Sequence, residues 1–334
     1  DKTTIVIAEV PAGGEIGLGY TYADRATAEL AHRLLAPLLE GGDPMDIPQA
    51  WAAMRHAIRN LGRPGIVSMA MAALDAALWD LKAKLVNLPL AKLLGRVSDA
   101  VPIYGSGGFT SYSVGELQQQ LGGWAQQGIG AVKMKIGREP DKDPERVAAA
   151  RDAIGPAVGL YVDANGSYDA SQALALAQKF AAHDVTWFEE PVSSDDLKGL
   201  RWVRDRAPAG MDIAAGEYGY DLPYFQRMLA ARAVNVLQAD ASRCAGISEF
   251  MRVGALCAAA NQPLSAHTAP ALHLHPCCAL ERLRNIEYFH DHVRIEQMLF
   301  DGVATPRGGL LHPDLSRPGL GLDLKRRDAR RWAA

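Results

Sequence analysis

The spacing of apolar and polar residues changes twice along this chain. TTIVIAEV (3–10) and IGLGYTY (16–22) are strand-like and PAGGE between them is turn sequence, so the chain opens on a β-hairpin. From Ala23 to about Leu94 the apolar positions recur with helical spacing. There SMAMAALDAALWDLKAKL (68–85) carries many alanines, which allow close approach by a neighbouring helix. Beyond residue 97 the pattern becomes a repeat of apolar runs that end in polar residues, with helical stretches between them. The eight runs are VPIYGS, AVKMKI, GLYVDAN, TWFEEP, MDIAAGE, VNVLQAD, PLSAHT and NIEYF. A polar residue near the end of each, from the second onward, stands at 135, 163, 189, 217, 240, 267 and 287, at intervals of 28, 26, 28, 23, 27 and 20. Such intervals suit a strand, a crossover helix and two short loops. Eight such units predict an α/β protein built on a (β/α)₈-type barrel, with an open doubly wound sheet as the alternative. After about Val293 the rhythm stops, and RPGLGLDLKR reads as a short strand that returns toward the N-terminal region.

Composition narrows the function. With 334 residues, 49% of them hydrophobic, the chain affords one large domain or two ordinary ones. A net charge of −3 gives no basic footprint for nucleic acid. No apolar run reaches the ~18 residues that cross a bilayer, which excludes a membrane partner at this level. No signal-peptide pattern is present, and Cys244, Cys257, Cys277 and Cys278 form no CxxC pair. They read as buried thiols of a cytoplasmic protein. The chain begins at Asp1 inside sheet-like sequence, so the expectation is that further residues precede it.

In a barrel of this type the C-terminal strand ends converge on one site. Here they carry Lys133 and Lys135, Asp163, Glu189 and Glu190, Glu217, Asp240, His267 and Glu287. Period-two geometry puts Lys133 and Lys135 of GAVKMKIG on one side of their strand. Several acids in one mouth repel each other unless a cation sits among them. Asp163, Glu189 and Glu217 on consecutive strands suit a hard divalent cation, Mg²⁺ before Zn²⁺, because neither sulfur nor imidazole joins them. Their alternative is to cap the helices that follow.

Taken together, AALDAALWDLKAKLVNLPLAKLLG, VKMKIG, VDANGSYD, WFEEP, AAGE, LQADASRCAGISEF, PLSAHT and NIEYF resemble, in order, the motifs of the enolase superfamily, mandelate racemase subgroup. The resemblance implies a modified barrel, (β/α)₇β, over 98–292. It implies an α+β capping domain built from 1–97 and the tail 293–334. The family's first strand and mobile specificity loop are expected upstream of Asp1.

The resemblance also implies Mg²⁺-dependent abstraction of the proton α to a carboxylate through an enediolate, a pattern general to the superfamily. Asp163, Glu189 and Glu217 carry over as metal ligands. Lys135 carries over as one base, and His267, supported by Asp240, as the other on the opposite face. A lysine starts near 10.4 and must fall about 3 units to serve near neutral pH, and burial beside Lys133 is expected to supply that fall. Lys133 also reaches the substrate carboxylate. Glu287 carries over as a hydrogen-bonding acid there, with a protonated form in view. Asn165 is divided between substrate binding and a turn. Glu190 is expected to face away by strand alternation, and Arg243 to make an ion pair at a helix start. His273, His275, His290 and His292 are expected to be structural or on the surface.

The implied function is dehydration of a sugar acid, an aldonate or aldarate, to a 2-keto-3-deoxy acid. Racemisation or epimerisation of a 2-hydroxy or sugar acid by the same two bases is the alternative. A metal-dependent hydrolase of the amidohydrolase type, with His273 and His275 on Zn²⁺, is the rival from a different class. The expected partners are a small-molecule carboxylate and, from the resemblance, further copies of the chain in a homo-oligomer.

Overall fold

The computed structural model describes residues 3–333. Strands β1 (Ile5–Ala12) and β2 (Glu15–Tyr22) form the expected hairpin. Gly13 and Gly14 close it with φ of 60° and 84°, the two positive values that a two-residue type I′ turn requires. Helices α1 (Arg25–Leu30), α2 (Ile47–Ala57), α3 (Ile66–Leu85) and α4 (Leu90–Leu93) follow. The alanine-rich α3 packs against α2 and also accepts strand β2 at close range. A Cβ on Gly17 or Gly19 of β2 would lie 2.1 Å from the carbonyl oxygen of Ala77 or Ala73. Asp80 of α3 accepts hydrogen bonds of 2.7 Å from the backbone of Leu18 and of Leu320. One buried carboxylate thus ties hairpin, helix and C-terminal tail into a cap.

The barrel then runs β3 (Val101–Gly107), α5 (Val114–Gln126), β4 (Ala131–Lys135), α6 (Asp143–Ile154), β5 (Gly159–Asp163), α7 (Ala170–Ala181), β6 (Val185–Glu189), α8 (Leu197–Arg204), β7 (Asp212–Ala215), α9 (Leu222–Ala230), β8 (Val236–Ala239), α10 (Ile247–Ala259), β9 (Leu264–Ala266), α11 (Pro270–Cys277) and β10 (Leu283–Phe289). Neighbouring strands pair in parallel in this order, and β10 closes on β3. This is the (β/α)₇β barrel and not an open sheet. Helix α12 (His290–Leu299) spans the boundary expected at 292. The tail adds β11 (Phe300–Asp301), β12 (Leu310–Leu311), β13 (Asp323–Leu324) and α13 (Arg326–Ala329). Strand β12 pairs with the N-terminal end of β3, and Arg326 pairs with Glu9 of the hairpin at 2.7 Å.

Strand register stacks the interior in layers. Lys133, Tyr161 and Trp187 lie level on β4, β5 and β6, and two residues on Lys135, Asp163 and Glu189 lie level above them. The lower layer is an aromatic plug, with the Tyr161 and Trp187 rings stacked at 5.1 Å and Tyr104 beside them. The polar residues therefore sit on a packed floor at the C-terminal mouth.

Candidate active site

The eight strand-end residues expected to act meet at this mouth. One oxygen from each of Asp163, Glu189 and Glu217 lies within 4.8 Å of the others, and all three residues are buried. They do not cap helices: Asp169, Asp196 and Asp221 accept the N-terminal hydrogen bonds of α7, α8 and α9. An all-oxygen trio at this separation fits a hard divalent cation such as Mg²⁺. Glu217 Oε2 also lacks a hydrogen-bond partner, although His267 Nε2 stands 3.3 Å away.

Lys133 is wholly buried, with Nζ 2.6 Å from Glu189, 2.8 Å from Glu287 and 3.4 Å from Asp163. Lys135 pairs with Asp163 on the next strand. On the far side His267 Nδ1 meets Asp240 Oδ2 at 2.9 Å. An ionised aspartate only accepts, so Nδ1 carries the proton and Nε2 faces the trio. The two candidate bases thus approach the trio from opposite ends, Lys135 at Asp163 and His267 at Glu217.

The electrostatics correct two expectations. Lys135 is not held near neutrality by Lys133. Burial and Lys133 both lower it, yet it stays above the ordinary lysine value because Asp163 outweighs Lys133 and Glu217 and Glu189 add to it. Lys133 is raised too, since Glu189 and Glu287 outweigh its burial. The lysines neutralise carboxylates more than they repel each other, because the acids are nearer. Glu287 is ionised and not protonated. Burial pushes it up, but Lys133 and His267 bring it down to about 2. It accepts from Ser106 Oγ at 2.6 Å and from the backbone of Thr268 at 3.1 Å. Burial and Arg243 lower His267, but Glu217, Glu287 and the Asp240 hydrogen bond together outweigh them and raise the ring to about 10. Burial and the neighbouring Asp163 hold the Glu189 carboxyl up at about 8.

Two further residues lie elsewhere than alternation or helix-start logic places them. Glu190 does not face away from the mouth. It is 1% exposed, sits at φ +39°, and lines a cavity of ≈570 Å³ with Asn165, Tyr218 and Tyr224. That φ is unusual for a non-glycine residue, and it breaks the alternation. Arg243 makes no simple helix-start pair: it reaches Glu217 at 3.4 Å and Asp240 at 3.6 Å, bridging the trio and the dyad. The signal in the sequence is its place three residues after Asp240.

Asn165 takes the turn role. At φ +46° its backbone N–H donates to Asp163 Oδ1 at 2.9 Å, while the residue also lines the large cavity and a second one of ≈360 Å³ that Lys135 shares. His273 is structural. Its Nε2 accepts from the backbone of Ala241 at 2.8 Å and its Nδ1 meets the Thr268 carbonyl at 2.9 Å. His275 accepts from the backbone of Ala91 at 3.1 Å, and His292 is buried against the Tyr22 ring, stacked at 3.4 Å. His290 stands beside Asp291 at 3.0 Å. Among the described residues the carboxylate trio is the one group of three or more that can hold a metal, so a His273–His275 zinc site is not formed.

Residues 1–95 match the mandelate racemase/muconate lactonizing enzyme N-terminal domain, and residues 116–329 match the enolase C-terminal domain-like family. The chain belongs to the mandelate racemase/muconate lactonizing enzyme family. A mandelate racemase/muconate lactonizing enzyme-like protein from Rubrobacter xylanophilus has the same fold at a TM-score of 0.97 and 54% identity, over 99% of this chain and 92% of that one. L-talarate/galactarate dehydratase of Salmonella typhimurium is 33% identical over 99% of this chain and 83% of its own length. Its structure liganded with Mg and L-lyxarohydroxamate superposes at a TM-score of 0.90, with 30% identity over 99% of this chain and 84% of that one. The 3,6-anhydro-alpha-L-galactonate cycloisomerase of Streptomyces coelicolor is also 33% identical, over 98% of this chain and 91% of its length. Relatives in this family therefore include both lyases and isomerases. Among the described residues no helix is long and apolar enough to cross a membrane.

Proposed function

We propose that this family member is a Mg²⁺-dependent sugar-acid dehydratase that converts an aldonate or aldarate to a 2-keto-3-deoxy acid. The observation that carries it is the pair of bases at opposite ends of one three-carboxylate cluster, Lys135 at Asp163 and His267 at Glu217. Mg²⁺ held by Asp163, Glu189 and Glu217 would supply positive charge to the substrate carboxylate as the α-proton leaves. Lys133, wholly buried with its ammonium fixed by Glu189 and Glu287, would bind that carboxylate from the floor. The carboxylates that keep Lys135 and His267 protonated are chiefly those that Mg²⁺ would neutralise, and with their charge offset Lys135, or His267 held by Asp240, would be free to take the α-proton. His267 as imidazolium gives its Nε2 proton to the β-hydroxyl, which leaves as water, and the resulting enol becomes the 2-keto acid. Asp240 keeps the ring oriented and steadies its charge. Glu287 and Asn165 would contact the substrate.

The four cysteines are all buried free thiols, which fits a reducing cytoplasm. A racemase, epimerase or cycloisomerase reading keeps the same bases without the leaving hydroxyl, and the 33% identical cycloisomerase favours keeping it. A screen of aldonic and aldaric acids with Mg²⁺, scored for 2-keto acid, separates the two. Keto product supports dehydration. Deuterium exchange at the α-carbon in D₂O without keto product sinks it in favour of the isomerase. His267→Asn and Lys135→Ala should each lower exchange on one face by about 10²–10⁴-fold. Exchange that persists on both faces would remove both residues from the mechanism.

A further inference from the structure

A continuous chain of hydrogen bonds runs from the capping hairpin to the imidazole of His267. Thr21 of β2 donates its hydroxyl to the carbonyl oxygen of Ser242 at 2.6 Å. Ser242 in turn donates both its backbone N–H and its hydroxyl to Asp240 Oδ1, each at 2.7 Å. The other Asp240 oxygen faces His267 Nδ1 at 2.9 Å. All four residues are buried, with exposures of 0%, 1%, 1% and 4% along the chain from Thr21 to His267. Water therefore does not compete for these bonds, and each fixes a direction.

The segment between β8 and α10 carries Asp240 and Arg243, and the cap grips it at further points. Trp51 Nε1 donates to the Ala245 carbonyl at 2.9 Å. Asp75 of α3 accepts from the Ser248 backbone at 2.9 Å and from its hydroxyl at 2.6 Å. Gly246, which precedes α10, has no side chain to cap that helix, and a Cβ there would meet Asp75 Oδ2 at 2.3 Å. The cap thus supplies the helix cap that the barrel sequence lacks.

We infer that Thr21 and Ser242 are positioning residues for His267. Ser242 fills one oxygen of Asp240 and so sets the rotation of the carboxylate. The other oxygen, which also accepts from the Thr268 hydroxyl at 3.4 Å and faces Arg243 Nε at 3.6 Å, is left to hold Nδ1–H, with Nε2 directed at the trio. Thr21 fixes the peptide plane from which Ser242 acts, so the geometry of a barrel base depends on a residue of the cap. The inference rests on His267 serving as a base in the proposed reaction, but its test needs no turnover.

The test is the downfield imidazole N–H proton resonance of His267 in the full chain, with and without MgCl₂, assigned by its loss in His267→Asn. In Ser242→Ala the resonance should move upfield and broaden. In Thr21→Val it should do so to a smaller extent, while Thr21→Ser, which keeps the hydroxyl, should leave it in place. Melting temperatures are followed in parallel. A Thr21→Val or Ser242→Ala protein that melts lower but keeps the resonance in place overturns the inference, because the bonds would then only staple cap to barrel. Failure of the dehydratase reading in the acid screen would leave this spectrum unchanged, so the two outcomes are separable.

Discussion

Replacing Lys133 by Met deletes one charge and keeps most of the side-chain volume. The ammonium it removes is wholly buried, 2.6 Å from Glu189 and 2.8 Å from Glu287. Taking one partner from a buried charge cluster costs about 3–5 kcal/mol, because the charges left behind are neither solvated nor paired. At about 2 °C per kcal/mol for a chain of this length, the midpoint should fall by roughly 6–10 °C without divalent cation. Glu189 gives the loss a pH dependence. Burial and Asp163 hold its carboxyl up at about 8 even with Lys133 pulling it down. Without Lys133 it should rise further and take up a proton. A carboxyl raised above its unfolded value binds protons more tightly in the folded state, so stability drops as pH rises toward the folded value. Lys133→Met should therefore lose less at about pH 6 than at about pH 9. Mg²⁺ on the trio would restore positive charge, so the rise in midpoint on adding MgCl₂ should be larger in the variant than in the parent. Thermal unfolding with EDTA or MgCl₂ at both pH values measures all three quantities. Equal Mg²⁺ shifts in parent and variant, or a variant as stable as the parent in EDTA, would refute the account of Lys133 as the internal counter-charge.

Other consequences are independent of turnover. Burial holds His275 down at about 4 against 6.5 in the unfolded chain. Below about pH 6.5 the unfolded chain therefore binds a proton that the folded one refuses, which removes ~2 kcal/mol of stability by about pH 5. His275→Gln, which keeps an acceptor for the Ala91 N–H, should flatten that loss in urea unfolding, and parallel pH curves for the two proteins would contradict it. Asp80→Ala strands the backbone N–H groups of Leu18 and Leu320 and leaves Lys84, 2.6 Å away, without its partner. It should cost ~3–5 kcal/mol and expose the C-terminal tail to proteolysis ahead of the barrel. Equal cleavage rates in the tail would count against Asp80 as the staple.

The division between what was legible and what was not follows the range of the forces. Strand alternation and crossover length are local, so the eight strands, the shared side of Lys133 and Lys135 and the ring of acids could be read along the chain. Residue chemistry made the trio an oxygen site before any distance was known. The charge states could not be read this way. Lys135 stands beside Lys133 in sequence, yet Asp163 on the next strand decides its proton, because Coulomb energy depends on distance through space. Glu190 escaped the alternation rule through a single backbone dihedral of +39° before Pro191, a position that sequence reads as extended. Thr21 gave no signal of its own, since its hydroxyl matters only where β2 meets the segment after β8, 221 residues along the chain. The sequence by itself determined which groups are present and on which face of each strand they begin. Packing of cap against barrel decided which of them touch, and with that which carry protons and which hold the base in place.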